Sequence, residues 1–205
     1  MVFPRLGARN PQRGSALSRL IGRLCLRLLG WRFVGRFPDL PKYVLVAAPH
    51  TSNWDFIVGM SALFAAGLRL SWMGKHTLFR PPLGSLMRWL GGLPVDRRGT
   101  HGVVDQMVSA FAHADRLVIG VTPEGTRSRV ERWRTGFYTI ALRSGVPIAL
   151  GFLDYGRRHV GVGPTLQPSG DIEADFARIR SFYAGVKARH PENFAAPTTG
   201  WPPPR

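Results

Sequence analysis

Cysteine occurs once in 205 residues, which excludes a disulfide scaffold and any metal site built on thiolates alone. Acidic side chains are scarce as well: 12 Asp and Glu stand against 28 Lys and Arg, a formal net charge of +16 with a pI near 11.6. No apolar run is long enough to cross a bilayer. The longest uncharged one, Phe56–Leu68, has 13 residues, where about 20 are needed. A secretory signal is missing too, because Arg19, Arg23 and Arg27 interrupt the apolar stretch where an uncharged core would lie. Together these absences predict a chain that stays inside the cell, on the cytoplasmic side of the cell membrane, and touches that membrane only peripherally.

Hydrophobic residues make up 44% of the chain and charged residues 20%, ordinary values for a globular protein. The length suits one large domain with a sizeable core. The excess of positive charge suggests an anionic partner: nucleic acid, anionic lipid or a phosphorylated ligand. Of the 28 basic residues 25 are Arg, and eight of these precede the first acidic residue, Asp39. No Cys/His finger spacing or aromatic RNA-binding signature is present, so nucleic acid is not an expected partner.

Residues 1–14 are rich in Pro, Gly and Arg and read as a lead-in. Ser15 is placed to cap a helix reaching Leu29, with Leu17, Leu20, Ile21, Leu24 and Leu28 as an apolar stripe and Arg19, Arg23 and Arg27 beside it. Such a basic amphipathic helix suits an anionic membrane surface; the plainer alternative is a helix packed on its own domain with a solvated Arg edge. Buried strands are expected at Tyr43–Ala48, Leu70–Met73, Leu117–Val121 and Val146–Phe152, with helices at Asp55–Leu68, Thr100–Asp115, Gly136–Ser144 and Asp171–Arg189. The alternation predicts an α/β fold: a single domain with a mostly parallel or mixed sheet flanked by helices, plus the N-terminal basic amphipathic helix. The expected division is a basic segment over 1–38, the main domain over 39–190, and a Pro-rich, extended or disordered tail over 191–205.

Four blocks carry candidate chemistry. His50 and Asp55 follow the first buried strand in Pro-His-Thr-Ser-Asn-Trp-Asp, at a strand end, where open α/β sheets bind ligands. A His within reach of a carboxylate is the minimal general-base pair, although a buried His bonded to a backbone carbonyl is equally compatible with the spacing. Pro123–Ser128 offers a glycine for close approach, two hydroxyls, Glu124 and the phosphate-matching fork of Arg127. Gly91–Gly99 carries Arg97 and Arg98 beside Asp96, and Gly145–Leu150 brings Pro147 into an apolar run as an edge strand or strand start. Lys75 and His76 extend a basic rim. No metal-ligand spacing is present, so a metal-dependent hydrolase built on His50, Asp55 and Glu124 is poorly supported. Cys25, far in sequence from His50, reads as a packing residue.

In this order the four blocks resemble the glycerolipid acyltransferase family. His50 to Asp55 matches its His-x4-Asp signature. Gly91 matches its Gly-x4-Asp-Arg block with the usual spacing to Arg97, Gly92 with one residue fewer, and Glu124 to Ser128 matches Glu-Gly-Thr-Arg-Ser. The Val-Pro-Ile strand falls at 146–148, and Trp133 to Tyr138 is also similar. The resemblance spans about Tyr43–Leu153. It implies that His50 is the general base and Asp55 orients it, while Arg97, Glu124, Gly125, Thr126 and Arg127 bind a glycerol-phosphate acceptor. It further implies no cofactor, with acyl-CoA or acyl-carrier protein as acyl thioester donor, a lysophospholipid or glycerol-phosphate acceptor, and an anionic membrane surface as partner. Pro49 before the His and Arg98 after Arg97 depart from the family pattern. Ser52 or a nearby backbone N–H is a candidate oxyanion donor.

Overall fold

The structure, a computed structural model, describes residues 3, 6–95 and 102–199. The chain forms helix α1 (Ala16–Leu28), strand β1 (Arg32–Gly35), strand β2 (Lys42–Ala48), helix α2 (Asn53–Ala66) and strand β3 (Ser71–Lys75). Helix α3 (Gly84–Trp89), strand β4 (Gly92–Val95), helix α4 (Val103–His113), strand β5 (Leu117–Val121) and helix α5 (Gly136–Ser144) follow. Strand β6 (Ile148–Asp154), strand β7 (His159–Leu166) and helix α6 (Ile172–Tyr183) complete the set.

The seven strands make one sheet in the order β1-β7-β6-β2-β5-β3-β4, parallel except for the β6–β7 pair. Strand β2 pairs with β5 on one side and β6 on the other, which explains its almost unbroken apolar run. Its side chains alternate between two cores. Val44, Val46 and Ala48 join α4, α5 and α6 through Phe111, Ile140, Phe176 and Ile179 on one face. Tyr43 and Leu45 join α1 and α2 through Leu26, Val58 and Ala62 on the other.

The N-terminal helix starts at its expected cap, where the Ser18 N–H donates to the Ser15 hydroxyl. It packs on α2 through Gly22, where a Cβ would come within 2.5 Å of the Ala65 nitrogen. With β1 paired to β7, residues 16–35 share the core of the following residues. The five stripe residues from Leu17 to Leu28 stay 51–76% exposed.

Several boundaries differ from expectation. Helix α4 is capped by Gly102, and the expected cap Thr100 lies outside the described residues. Helix α6 ends at Tyr183, six residues early. The chain turns at Ala184–Gly185, and the Lys187 carbonyl then accepts a hydrogen bond from the Tyr155 N–H at 2.8 Å. Pro147 stands just before β6, a central strand, so it starts a strand and does not mark an edge. Beyond Pro191–Asn193, a short 3-10 turn, the tail is irregular but docked as far as Thr199: the Trp133 N–H donates to the Thr198 carbonyl at 3.0 Å, and Arg180 to the Pro197 carbonyl.

Strands β2 and β5 are neighbours, yet the chain leaves them in opposite directions: from β2 through α2 to β3, and from β5 through α5 to β6. A crevice opens at the carboxyl ends of such a strand pair, the usual ligand position in open α/β sheets.

Candidate active site

His50 and Glu124 meet in that crevice. His50 follows Ala48, the last residue of β2, by two positions, and Glu124 follows Val121, the last of β5, by three. The His50 N–H donates to both Glu124 carboxylate oxygens, at 3.0 and 3.1 Å. Glu124 is only 2% exposed. Burial pushes its pKa from 4.5 up to about 7; the His50 N–H opposes the rise and the nearby Asp55 charge adds to it.

Asp55 organises the loop from the other side. It is the third residue of α2, and its Oδ2 accepts from the Thr51 and Ser52 N–H groups at 2.7 Å each. Ser52 caps α2, with its hydroxyl accepting from the Trp54 N–H, so the loop and the first helical turn lock each other. His50 Nδ1 lies 3.4 Å from Asp55 Oδ2, and the Tyr155 hydroxyl donates to Oδ1 at 2.6 Å. Burial alone would raise the Asp55 pKa. The bonds from His50, Tyr155 and Ser52 outweigh it and hold the carboxyl below its ordinary value. Tyr155 is pushed upward, by burial first and then by its bond to this carboxylate.

An ionised Asp55 facing Nδ1 selects the tautomer with hydrogen on Nδ1 and leaves Nε2 as the basic nitrogen. The imidazole is 18% exposed, so the ring is partly open to solvent while Asp55 behind it is buried. At 3.4 Å the contact is long for a hydrogen bond.

The Glu124 contact brings the following turn beside His50. Gly125 has φ +68°, a left-handed conformation that favours glycine, and a Cβ there would come 2.8 Å from the Arg134 side chain. Thr126 and Arg127 are exposed on the turn, and the Ser128 N–H donates to the Thr126 hydroxyl. Arg97 lies outside the described residues, as do Asp96 and Arg98. Lys75 ends β3, and His76, itself exposed, begins a 3-10 turn. As oxyanion donors, the Thr51 and Ser52 N–H groups are committed to Asp55.

The profile of the acyltransferase family matches residues 34–149, more than half of the chain. The chain belongs to the acyltransferase family. Its fold is similar to the crystal structure of PlsC, a 1-acyl-sn-glycerophosphate (LPA) acyltransferase from Thermotoga maritima. The TM-score is 0.58 at 16% identity, over 84% of this chain and 80% of that one. No curated protein matches significantly.

Three contacts around this crevice carry no sequence signal. Tyr155, 100 residues beyond Asp55, sits in the β6–β7 turn with its ring edge-on to Trp31 at 4.8 Å. Arg189 lies over both Trp54 and Tyr155, 5.5 and 5.8 Å from the ring centroids. The His190 N–H donates to the Thr51 hydroxyl at 3.2 Å. The Arg189 and His190 contacts depend on the early end of α6, which carries residues 187–190 across to the loop. Among the described residues, no group of three or more His, Cys, Asp or Glu is placed to hold a metal.

Proposed function

We propose that the chain moves a fatty acyl group from an acyl thioester to the free hydroxyl of lysophosphatidic acid, making phosphatidic acid. The observation that carries this reading is the His50–Asp55 pair at 3.4 Å, held in the switch-point crevice beside the Glu124–Arg127 turn. His50 Nε2 takes the proton of the acceptor hydroxyl as its oxygen attacks the thioester carbonyl. Asp55 keeps the ring oriented and balances the imidazolium charge. The tetrahedral intermediate then collapses, the C–S bond breaks, and the leaving sulfur takes the proton back from His50. A thioester is already activated, so the step needs positioning and proton transfer and no acyl-enzyme, metal or cofactor. Arg127 supplies a guanidinium for the acceptor phosphate, with Thr126 and Gly125 shaping the turn around it. Glu124 acts by holding the His50 backbone, and Arg97 is proposed for the same phosphate from its motif.

An amphiphilic acceptor is favoured over water-soluble glycerol 3-phosphate by the surface of α1. Its stripe of Leu17, Leu20, Ile21, Leu24 and Leu28 faces outward, each residue at least half exposed, and Arg23 and Arg27 are exposed on the same helix. No described helix is long and apolar enough to cross a membrane. We assign α1 to a peripheral position in the bilayer interface, its stripe buried among headgroups and its Arg against anionic lipid.

The test is product analysis by mass with lysophosphatidic acid, another lysophospholipid and glycerol 3-phosphate, each offered with acyl-CoA and with acyl-carrier protein. Phosphatidic acid as the dominant product supports the reading. Faster acylation of glycerol 3-phosphate or of a phosphate-free acceptor overturns the acceptor assignment.

A further inference from the structure

A second concentration of positive charge lies at the opposite end of the sheet from His50. Arg69 and Ser71 stand at the start of β3, and Gly91 and Gly92 at the start of β4. Both strands run parallel to their neighbours, so these residues flank the amino ends of the sheet, away from the catalytic crevice. A cleft of about 400 Å³ opens there, lined by Arg13, Arg69 and Arg88 together with Ser18, Ser71 and Trp89, and among the described residues no carboxylate lines it.

Two of the three guanidinium groups are fixed in place. Arg13 donates to the Trp89 carbonyl at 2.8 Å and sits 4.9 and 5.1 Å from the ring centroids of Phe64 and Trp89. Arg88 donates to the Phe79 carbonyl at 3.1 Å and lies over the Phe79 ring. Burial and the repulsion of Arg69 both push the Arg13 pKa down, as expected of cations gathered without a counter-charge. The cleft also borders apolar surface: Ser18 adjoins Leu17, the first exposed residue of the α1 stripe, and Trp89 is itself 62% exposed at the end of α3.

Cations held on rigid aromatic and carbonyl supports, without an acid among them, match a phosphate group. The adjoining apolar residues match what lies beside a phosphate in a bilayer. We infer that this cleft binds the phosphate of an anionic phospholipid headgroup, distinct from the acceptor at His50, and so fixes how the protein sits on the membrane. The inference rests on the bilayer position of α1 proposed above.

Sedimentation of the full chain with phosphatidylcholine vesicles, with and without phosphatidic acid at matched ionic strength, tests it. Arg69→Gln and Arg88→Gln should each reduce the gain due to phosphatidic acid about five-fold. Arg178→Gln on α6, across the sheet, should leave it within about two-fold. Arg69 is exposed, so its replacement leaves the core untouched. Equal losses in all three variants would assign the gain to overall charge and overturn the inference, as would no loss in Arg69→Gln and Arg88→Gln. Thermal unfolding with inorganic phosphate separates the two phosphate sources. A stabilisation abolished by Arg69→Gln, with lipid binding unaltered, would assign the cleft to soluble phosphate and overturn the lipid assignment. Failure of the bilayer reading has its own signature: Leu20→Ser/Leu24→Ser would bind phosphatidylcholine as the parent does, while the Arg variants still lost the phosphatidic acid gain.

Discussion

The backbone N–H of His50 points at the Glu124 carboxylate, 3.0 and 3.1 Å from its two oxygens, across 74 residues of chain. This contact joins the turn after β2 to the turn after β5, and through them the candidate base to the candidate phosphate site. Its burial makes it pH-sensitive. The Glu124 pKa is 4.5 in ordinary surroundings and about 7 in the fold, so between these values the folded chain holds a proton that the unfolded chain has released. The contribution to stability is therefore full below pH 4.5 and is lost as pH rises through about 7, a difference of about 3 kcal/mol at 1.36 kcal/mol per unit. Denaturant titrations across this range should show the decline, and Glu124→Gln should flatten it. An unchanged slope in the variant would assign the titration to another group.

Tyr155→Phe removes one donor from Asp55 and leaves the ring against Trp31. We expect kcat to fall about ten-fold with little change in KM, because the hydroxyl acts through Asp55 and does not contact substrate. Asp55 is held below its ordinary pKa, so it stabilises the fold above that value and the stabilisation is lost as pH falls. Without Tyr155 its pKa moves up, and acid unfolding should begin at higher pH than in the parent. Identical acid midpoints would show that the 2.6 Å bond contributes nothing.

Asp55→Ala combines two losses. It strands the buried Thr51 and Ser52 N–H groups, at about 1–3 kcal/mol for each unpaired group. It also frees the His50 ring, and we expect acyl transfer to drop by about 10²–10⁴. Asp55→Asn should recover part of the stability, through its side-chain carbonyl, and little of the activity. Recovery of both would mean that the carboxylate charge is dispensable.

Arg127→Ala tests the acceptor phosphate. A lost charge-assisted contact of about 1.5–3 kcal/mol raises the acceptor KM about 10- to 100-fold. The donor KM should hold, and the fold should be unaffected because Arg127 is exposed. An unaltered acceptor KM would favour a phosphate-free acceptor.

On α1 the two faces should respond in opposite ways. Leu20→Ser/Leu24→Ser alters residues 61% and 51% exposed, and should lower vesicle binding while leaving the melting temperature near that of the parent. Gly22→Val should lower the melting temperature, because any Cβ there meets the α2 backbone, 2.5 Å from the Ala65 nitrogen and 2.7 Å from the Ser61 carbonyl oxygen. Equal vesicle binding by the Leu20/Leu24 variant would remove α1 from the interface.

The central architecture was legible because its strands are buried on both faces. Tyr43–Ala48 and Leu117–Val121 are uninterrupted apolar runs, and they became β2 and β5 with at most one residue of difference. The outer strands were hidden by their own composition. Strand β7 carries Gly161, Gly163 and Pro164, yet Gly161 is what permits close pairing, since a Cβ there would come 1.8 Å from the Val34 carbonyl oxygen. Pro94 masked the four-residue edge strand β4.

The nearness of His50 to Asp55 followed from their spacing across a helix start, whereas the partners around them did not. Tyr155 and Arg189 arrive through tertiary folding, after α6 stops at Tyr183 and the chain turns back to bond with the Tyr155 N–H. The apolar face from Ile172 to Val186 keeps helical spacing past this point, and Gly185 overrides it.

The most direct measurement is acceptor-dependent release of free thiol from palmitoyl-CoA, or from an acyl-carrier protein, by the purified parent and by His50→Ala. The account predicts release that rises with lysophosphatidic acid in the parent and falls to background in the variant, with both proteins equally folded. Release at the parent rate by His50→Ala would contradict it and place the base elsewhere.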